Sequence, residues 1–201
     1  MCQEVTLEMF EEQFMPKMQR FMTKSLSRRL SPTFIWTEIM SVIKGGIAHK
    51  NQLHQKYFSR KQYLSRYSDV LTKKEKSTIY YIFLKYEEWK LNSRAFDFLD
   101  VVNHVMIHTS HSYSNTYSDN YQLSSKFNAF DFLIIDEVQD LYPKTIKLLL
   151  SFAKYKVVFA GDTAQTIAKG VSSKISDMRN MLTDYKILET KSINLSVNYR
   201  S

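Results

Sequence analysis

The chain lacks the cysteines of disulfide-rich secreted folds and the long apolar runs of membrane-spanning ones. A single cysteine, Cys2, in 201 residues excludes a disulfide framework and a Cys-based zinc ribbon, and it suits a reducing compartment. Four glycines and three prolines exclude collagen-like and loop-dominated architectures and lean towards helix. No apolar run approaches the roughly 18 residues that a membrane span needs, so no membrane partner is expected. Glu4, Glu8, Glu11 and Glu12 stand where a signal peptide would carry a basic and then an apolar stretch. An intracellular protein, nuclear or cytoplasmic, is therefore expected. The residues that are present, 44% hydrophobic and 24% charged, suit a soluble globular chain rather than a disordered one. The length allows one domain, or one domain carrying a subdomain, with a sizeable core.

The net charge of +8 is unevenly placed. Residues 17–94 hold 17 Lys/Arg against 5 Asp/Glu, a local excess of +12, and the rest of the chain is net acidic. Such asymmetry points to a surface that meets a polyanion, most often nucleic acid. A solvated set of Lys-rich helices gives the same arithmetic, so charge leaves both readings open. The tyrosines among the lysines of residues 57–90 fit base stacking or half-buried helix faces.

The first ninety residues carry helical spacing. Phe10, Phe14 and Met15, then Met18, Phe21 and Met22, flank Pro16, where a helix should break or begin. Ile35, Trp36, Ile39, Met40 and Ile43 repeat the pattern until Gly45-Gly46. Thr72-Lys-Lys-Glu75 has the form of a capping box and opens a helix with Ile79, Ile82, Phe83, Tyr86 and Trp89 on one face. Phe98, Val101, Val102, Val105 and Met106 make a further stripe. Residues 109–125 are Ser/Tyr/Asn-rich without a period and read as a loop. After position 130 the pattern changes. Phe132–Ile135 and Val157–Ala160 read as strands buried on both faces, joined by an amphipathic helix that begins near Pro143 and uses Ile146, Leu149, Leu150 and Ala153. Strand, helix and strand in about thirty residues form a βαβ unit with parallel strands. Ile193 to Val197 suits another strand. The expected fold class is thus α/β, with a basic helical part over residues 1–95, a helix and loop over 96–130, and a parallel sheet over 131–201.

Ligands collect at the carboxyl ends of strands in open parallel sheets. Here the first strand ends in Asp136-Glu137-Val-Gln139-Asp140 and the second in Gly161-Asp162-Thr-Ala-Gln165. Beside a phosphate site, Asp136 suits a Mg²⁺ ion, because a hard cation takes oxygen ligands. Glu137 suits a base that polarises the attacking water. Gln165, both donor and acceptor, suits sensing of a phosphate or of that water. Acids at strand ends also cap helices, and Asp140 is placed to do so before the helix at 144.

Leu133-Ile-Ile-Asp136-Glu137-Val-Gln139-Asp140, then Ala160-Gly161-Asp162-Thr-Ala-Gln165-Thr-Ile167, then Leu195-Ser-Val-Asn198-Tyr199-Arg200-Ser201 resemble, in order and spacing, motifs II, III and IV of the UvrD/Rep-like superfamily 1 DNA helicases. Asp97-Phe98-Leu99-Asp100 resembles the acidic-aromatic segment that these proteins carry ahead of motif II. Trp36-Thr37-Glu38-Ile39 and Ile43-Lys44-Gly45 look most like the helicase-like region of large tetratricopeptide- and ankyrin-repeat proteins. The resemblance spans roughly residues 30–201 and is dense after 131. It implies a partial RecA-like P-loop NTPase sheet preceded by a 1B-like subdomain, which in the family faces the DNA duplex, with DNA in preference to RNA as the partner. It implies ATP and Mg²⁺ as cofactors, with Asp136 as the metal residue and Glu137 as the catalytic base. Gln165 would couple the nucleotide to the nucleic-acid site. Arg200 would reach the γ-phosphate, where its forked donors can bridge two oxygens.

The chain also departs from that family. It contains no GxxxxGK[ST] phosphate loop, no evident adenine-recognising glutamine motif, and no second RecA-like domain; its one glycine pair, Gly45-Gly46, lacks the following Lys-Ser/Thr. Thr166-Ile167 is followed by Ala168-Lys169 instead of the aromatic that stacks on a base. The isolated chain is therefore expected neither to bind ATP tightly nor to unwind a duplex, and to depend on flanking helicase domains. The alternative is a non-hydrolysing nucleic-acid- or protein-binding module. His104, His108 and His111 share helical spacing but have no Cys or Glu that completes a metal set in the HExxH manner. They read as surface histidines.

Overall fold

The structure, a computed structural model, describes residues 2–47, 55–110, 130–161 and 193. Among them, helices dominate residues 7–110 and a strand–helix–strand unit follows.

The N-terminal helix is capped by Thr6, whose hydroxyl accepts from the Met9 amide. It runs from α1 (Leu7–Met9) through a π-helical segment (Phe10–Phe14) into α2 (Met15–Gln19). Pro16 lies in the first turn of α2, one of the two places the sequence allowed it, and the helix runs on through it. The Met15 amide bonds to the Phe10 carbonyl five residues back. That widened turn places the gap in the bonding pattern where proline has no N–H to donate. Phe10, Phe14, Met15 and Met18 are buried, whereas Phe21 lies past the end of α2, where helical spacing no longer applies, and is 83% exposed.

α3 (Lys24–Arg29) and α4 (Pro32–Thr37) follow, each capped by a hydroxyl, Thr23 and Ser31. α4 continues as a second π-helical segment, Glu38–Lys44. Gly45 and Gly46 then end it, and both are demanded by packing. A Cβ on Gly45 would collide with the Met40 carbonyl, and one on Gly46 would stand 2.6 Å from the Phe58 ring. α5 (Arg60–Ser65) leads to the long α6 (Lys73–Ser93). The capping box is present in both directions: Thr72 Oγ1 accepts from the Glu75 amide at 3.3 Å, and Glu75 Oε2 accepts from the Thr72 amide at 2.8 Å.

The apolar face of α6, with Ile79, Ile82, Phe83 and Tyr86, enters the main core beside Phe10, Phe14, Ile35, Ile39 and Ile43. Trp36 and Trp89 close the edge of an aromatic group in which Phe10 meets Trp36 and Tyr86 at 5.0 and 5.4 Å between ring centres. Arg94, in the left-handed conformation, turns the chain into β2 (Ala95–Phe96), which pairs in parallel with β1 (Gln3–Glu4). In α7 (Phe98–Ser110) the inward face differs from the expected stripe. Leu99, Val102 and Asn103 are buried, while Phe98 and Val101 are nearly half exposed, because the capping of α7 described below rotates Leu99 rather than Phe98 towards the core.

β3 (Phe130–Ile135) and β4 (Ala153–Phe159) are parallel and joined through α8 (Pro143–Leu150), with Pro143 in its first turn. Leu133 and Ile135 stand opposite Val157 and Phe159 in register, and with Ile146 and Leu150 of α8 they form a second, smaller cluster. Ala153, expected on the helix, begins β4. Among the described residues nothing covers the other face of the pair, although both faces were expected to be buried: Phe132, Ile134 and Val158 are more than half exposed. Continuous apolar strands of this kind need helices on both faces, and α8 supplies one. None of the described helices is long and apolar enough to cross a membrane.

Candidate functional site

Backbone bonding continues past the two strands and fixes the segment where the acids lie. The Ala160 amide donates to the Ile135 carbonyl at 2.8 Å, and the Val138 amide donates to the Ala160 carbonyl at 3.1 Å. Between those bonds the chain must turn sharply. Glu137 does so in the left-handed region, φ 49° and ψ 41°, a conformation that costs a non-glycine residue on the order of 1 kcal/mol. The turn leaves Asp136 and Glu137 exposed side by side at the carboxyl end of β3, beside the end of β4.

Each carboxylate is oriented locally. Asp136 Oδ1 accepts from the Glu137 amide at 2.9 Å, and Glu137 Oε2 accepts from Gln139 Nε2 at 2.5 Å. Gln139 is itself buried. A Cβ at position 161 would stand 2.6 Å from Gln139 Oε1 and 3.0 Å from Val138 Cγ1. Gly161 is thus the residue that lets the end of β4 close over the Gln139 side chain, which in turn holds Glu137. Asp140 does not cap α8. That position belongs to Tyr142, which makes no side-chain capping bond, and Asp140 ends a 3₁₀ turn, Val138–Asp140. Two adjacent exposed carboxylates offer oxygen ligands of the kind that a hard divalent cation takes. Asp162, Gln165, Asn198 and Arg200 lie outside the described residues, as do the strand expected at 193–197 and the loop expected at 109–125, apart from Ile193 and positions 109 and 110, which end α7.

The helical part holds a buried charge cluster that the sequence reading did not find. Asp97 opens α7, and its bonds with Asp100 run in both directions: each carboxylate accepts from the other's amide at 3.0 Å. Lys44, fully buried, donates to Asp97 Oδ2 at 2.6 Å, Asp100 Oδ1 at 2.8 Å and Glu87 Oε1 at 2.9 Å. Lys90 reaches Asp97 at 2.6 Å and Asp100 at 2.5 Å. The Tyr86 hydroxyl adds a third donor to Asp97 Oδ2 at 3.1 Å. Burial would raise the Asp100 carboxyl, but the two ammonium groups hold it well below the usual carboxylate range. Burial would lower the Lys90 amine, and Asp97 and Glu87 hold it above its ordinary value. Glu87, Asp97 and Asp100 are close enough to hold a cation, and Lys44 and Lys90 supply that charge. The acidic-aromatic segment is therefore a joint between three helical elements. One sequence signal marks it: Lys44 and Lys90 sit in phase with the apolar stripes Met40–Ile43 and Phe83–Tyr86.

Lys144, in the first turn of α8, ties the acid-bearing unit to the helical part. Its amide donates to the Gly45 carbonyl at 3.0 Å, and its buried Nζ donates to the Lys56 carbonyl at 2.7 Å, Asn103 Oδ1 at 3.0 Å and the Gln55 carbonyl at 3.4 Å. Burial, reinforced by the positive charges of Lys44, Lys147 and Lys56, lowers its amine to about 7.

The basic excess of residues 17–94 is divided between interior and surface. Lys44, Lys76 and Lys90 are buried, whereas Arg28, Arg29, Arg60, Lys61, Arg66, Lys73 and Lys74 are exposed. Glu38, among the basic helices, is raised by burial despite its bond from Tyr63. His104 and His108 are exposed with ring centres 4.3 Å apart. His111 lies outside the described residues. Cys2 is exposed.

Comparison with known proteins places this geometry. A family model described as the UvrD/REP helicase N-terminal domain matches residues 3–186. Among curated proteins, TPR and ankyrin repeat-containing protein 1 from Homo sapiens is 28% identical over 183 residues, covering 88% of this chain and 6% of that protein. No solved structure gives a significant match.

Proposed function

Because the chain belongs to the UvrD/REP helicase N-terminal domain family, we propose that it is the part of an ATP-dependent DNA helicase that supplies the hydrolytic carboxylates and a surface facing nucleic acid. The observation that carries the proposal is the Asp136–Glu137 pair, exposed and individually oriented at the carboxyl end of parallel strands. On this reading the strands belong to a partial RecA-like sheet and the helices before them to a 1B-like subdomain.

Asp136 would hold Mg²⁺, whose charge, when the ion is bound with nucleotide, neutralises the β- and γ-phosphates. Glu137, turned outward by its left-handed backbone and fixed by Gln139, would take the proton of the attacking water. Gln165 would report the nucleotide state to the nucleic-acid site, and Arg200 would hold the γ-phosphate. The phosphate cradle is not built from this chain's glycine pair. Gly45 and Gly46 are filled by close packing against Met40, Val42 and Phe58, and the Gly45 carbonyl is bonded to Lys144. Phosphate binding therefore has to come from flanking helicase sequence.

The experiment is an ATPase assay with and without that sequence. The 201-residue chain alone should show no turnover above a protein-free blank. A longer polypeptide in which a GxxxxGK[ST] segment precedes the chain should hydrolyse ATP and lose roughly 100-fold or more on Glu137→Gln. Undiminished turnover by E137Q in the longer polypeptide would refute the assignment of the base. Turnover by the short chain would refute the missing cradle. A second reading, binding without turnover, draws on the exposed cations of the helices. It predicts salt-dependent nucleic-acid binding that is indifferent to Asp136→Asn and Glu137→Gln.

A further inference from the structure

A group of cations, most of them exposed, lies around the loop that links α5 to α6. Arg60 of α5 donates to Ser77 Oγ of α6 at 2.7 Å. Arg29 of α3 reaches the same end, donating to the Val70 carbonyl at 3.3 Å and pairing with Glu75 at 2.8 Å. Lys76 donates to the Arg66 carbonyl at the start of the loop, and Lys73 and Lys74 occupy the first turn of α6. The acids nearby are already engaged: Glu75 by the cap and Arg29, and Asp69 by the Tyr67 hydroxyl. Arg29, Arg60 and Arg66 also serve the fold, through Glu75, Ser77 and the Phe58 ring 5.2 Å away, but the grouping itself is unfavourable. Like charges repel, and lysines in a first helical turn oppose the helix dipole.

Amid these cations the Tyr67 side chain projects from the loop, 89% exposed. An aromatic ring so placed contributes no core burial. A flat apolar face surrounded by fixed cations is instead the combination with which proteins hold unpaired bases, the ring stacking and the cations meeting phosphates. A solvated lysine-rich face would need no such ring.

We propose that the α5–α6 loop is a contact for single-stranded nucleic acid, in which Tyr67 stacks on a base while Arg60, Arg66, Lys73 and Lys74 meet the backbone phosphates. This rests on the nucleic-acid-facing reading above and adds to it a place and a strand preference. In a duplex the bases are already stacked on one another, so the ring adds nothing there. The phosphate contacts serve single strands and duplexes alike.

The test is fluorescence anisotropy of the full 201-residue chain with a labelled oligothymidylate and with a blunt duplex of equal length, each over a range of salt. Tyr67→Ala should weaken the single strand by about 5- to 100-fold, from the usual worth of one stacked base. It should leave the duplex within about twofold and the salt slope unchanged, and Tyr67→Phe should restore the affinity. Lys73→Gln and Lys74→Gln should weaken both oligonucleotides and each lower the salt slope by about one. These side chains are exposed, so an unchanged melting temperature separates loss of binding from loss of fold. Wild-type affinity for the single strand in Tyr67→Ala, or equal losses on both oligonucleotides, would overturn this proposal while the broader reading stands. No binding of either oligonucleotide by the wild-type chain would overturn both.

Discussion

Lys144 makes the linkage between the two parts of the molecule measurable as a dependence of stability on pH. Its amine is lowered from the ordinary 10.5 to about 7 in the folded chain. Between those values the unfolded chain holds a proton that the folded chain has released, so stability rises with pH across the window. The full shift is worth about 5 kcal/mol at roughly 1.4 kcal/mol per unit. Integrated between about pH 7 and pH 9, it adds about 2 kcal/mol of stability. Urea unfolding followed by the fluorescence of Trp36 and Trp89, both packed against the core, should show this rise in the wild-type chain. Lys144→Met removes the titrating group and also leaves the Lys56 carbonyl and Asn103 Oδ1 without their donor. Its absolute stability therefore mixes two effects, and the decisive quantity is the slope. The wild-type curve should climb about 2 kcal/mol more than the Lys144→Met curve over the same range. Parallel curves would refute the reasoning, because an amine that keeps its ordinary proton affinity when folded gives no such difference.

Two further substitutions follow from buried geometry. Lys44→Met should lower the urea-derived stability by about 3–5 kcal/mol, because Asp97 is fully buried and would face Asp100 and Glu87 with Lys90 alone. Adding Asp97→Asn should recover part of that loss, and a Lys44→Met chain as stable as wild type would show the cluster to be solvated. Gly46→Ala should cost about 1–3 kcal/mol through overpacking, since its Cβ would meet the Val42 carbonyl at 2.5 Å and the Phe58 ring at 2.6 Å. A loss of nucleotide binding with unchanged stability would show instead that the glycine pair serves phosphate.

The Thr72–Glu75 capping box, the glycine pair that ends a helix and the short apolar strands were legible in the sequence because they are local. Thr72 and Glu75 are three residues apart, and their bonds form wherever that segment is helical. The parallel order of β3 and β4 followed from a connection too long for a hairpin. Asp136 and Glu137 were placed at a strand end by the apolar run before them, and the chain's membership of the UvrD/REP family agrees with the motifs in which they stand.

Other features were settled by contacts between distant segments. Pro16 continues a helix because a π turn absorbs it, and that turn belongs to a segment whose Phe10 packs against Trp36 and Tyr86. Asp97 and Asp100 stood out in the sequence only as an acidic-aromatic segment, and they are the acceptors of Lys44 and Lys90, partners that come from two other helical elements. Nothing local marks Lys144 in the sequence, and its burial depends on carbonyls some ninety residues earlier.

Sequence alone therefore determined the helices, the parallel strand pair and the acids at its carboxyl end, since spacing and neighbouring residues carry that information. Tertiary structure alone decided which cations turn inward and which remain on the surface. An ammonium group is stable in the interior only where several oxygen atoms converge on it, and such convergence arises when separate elements pack together.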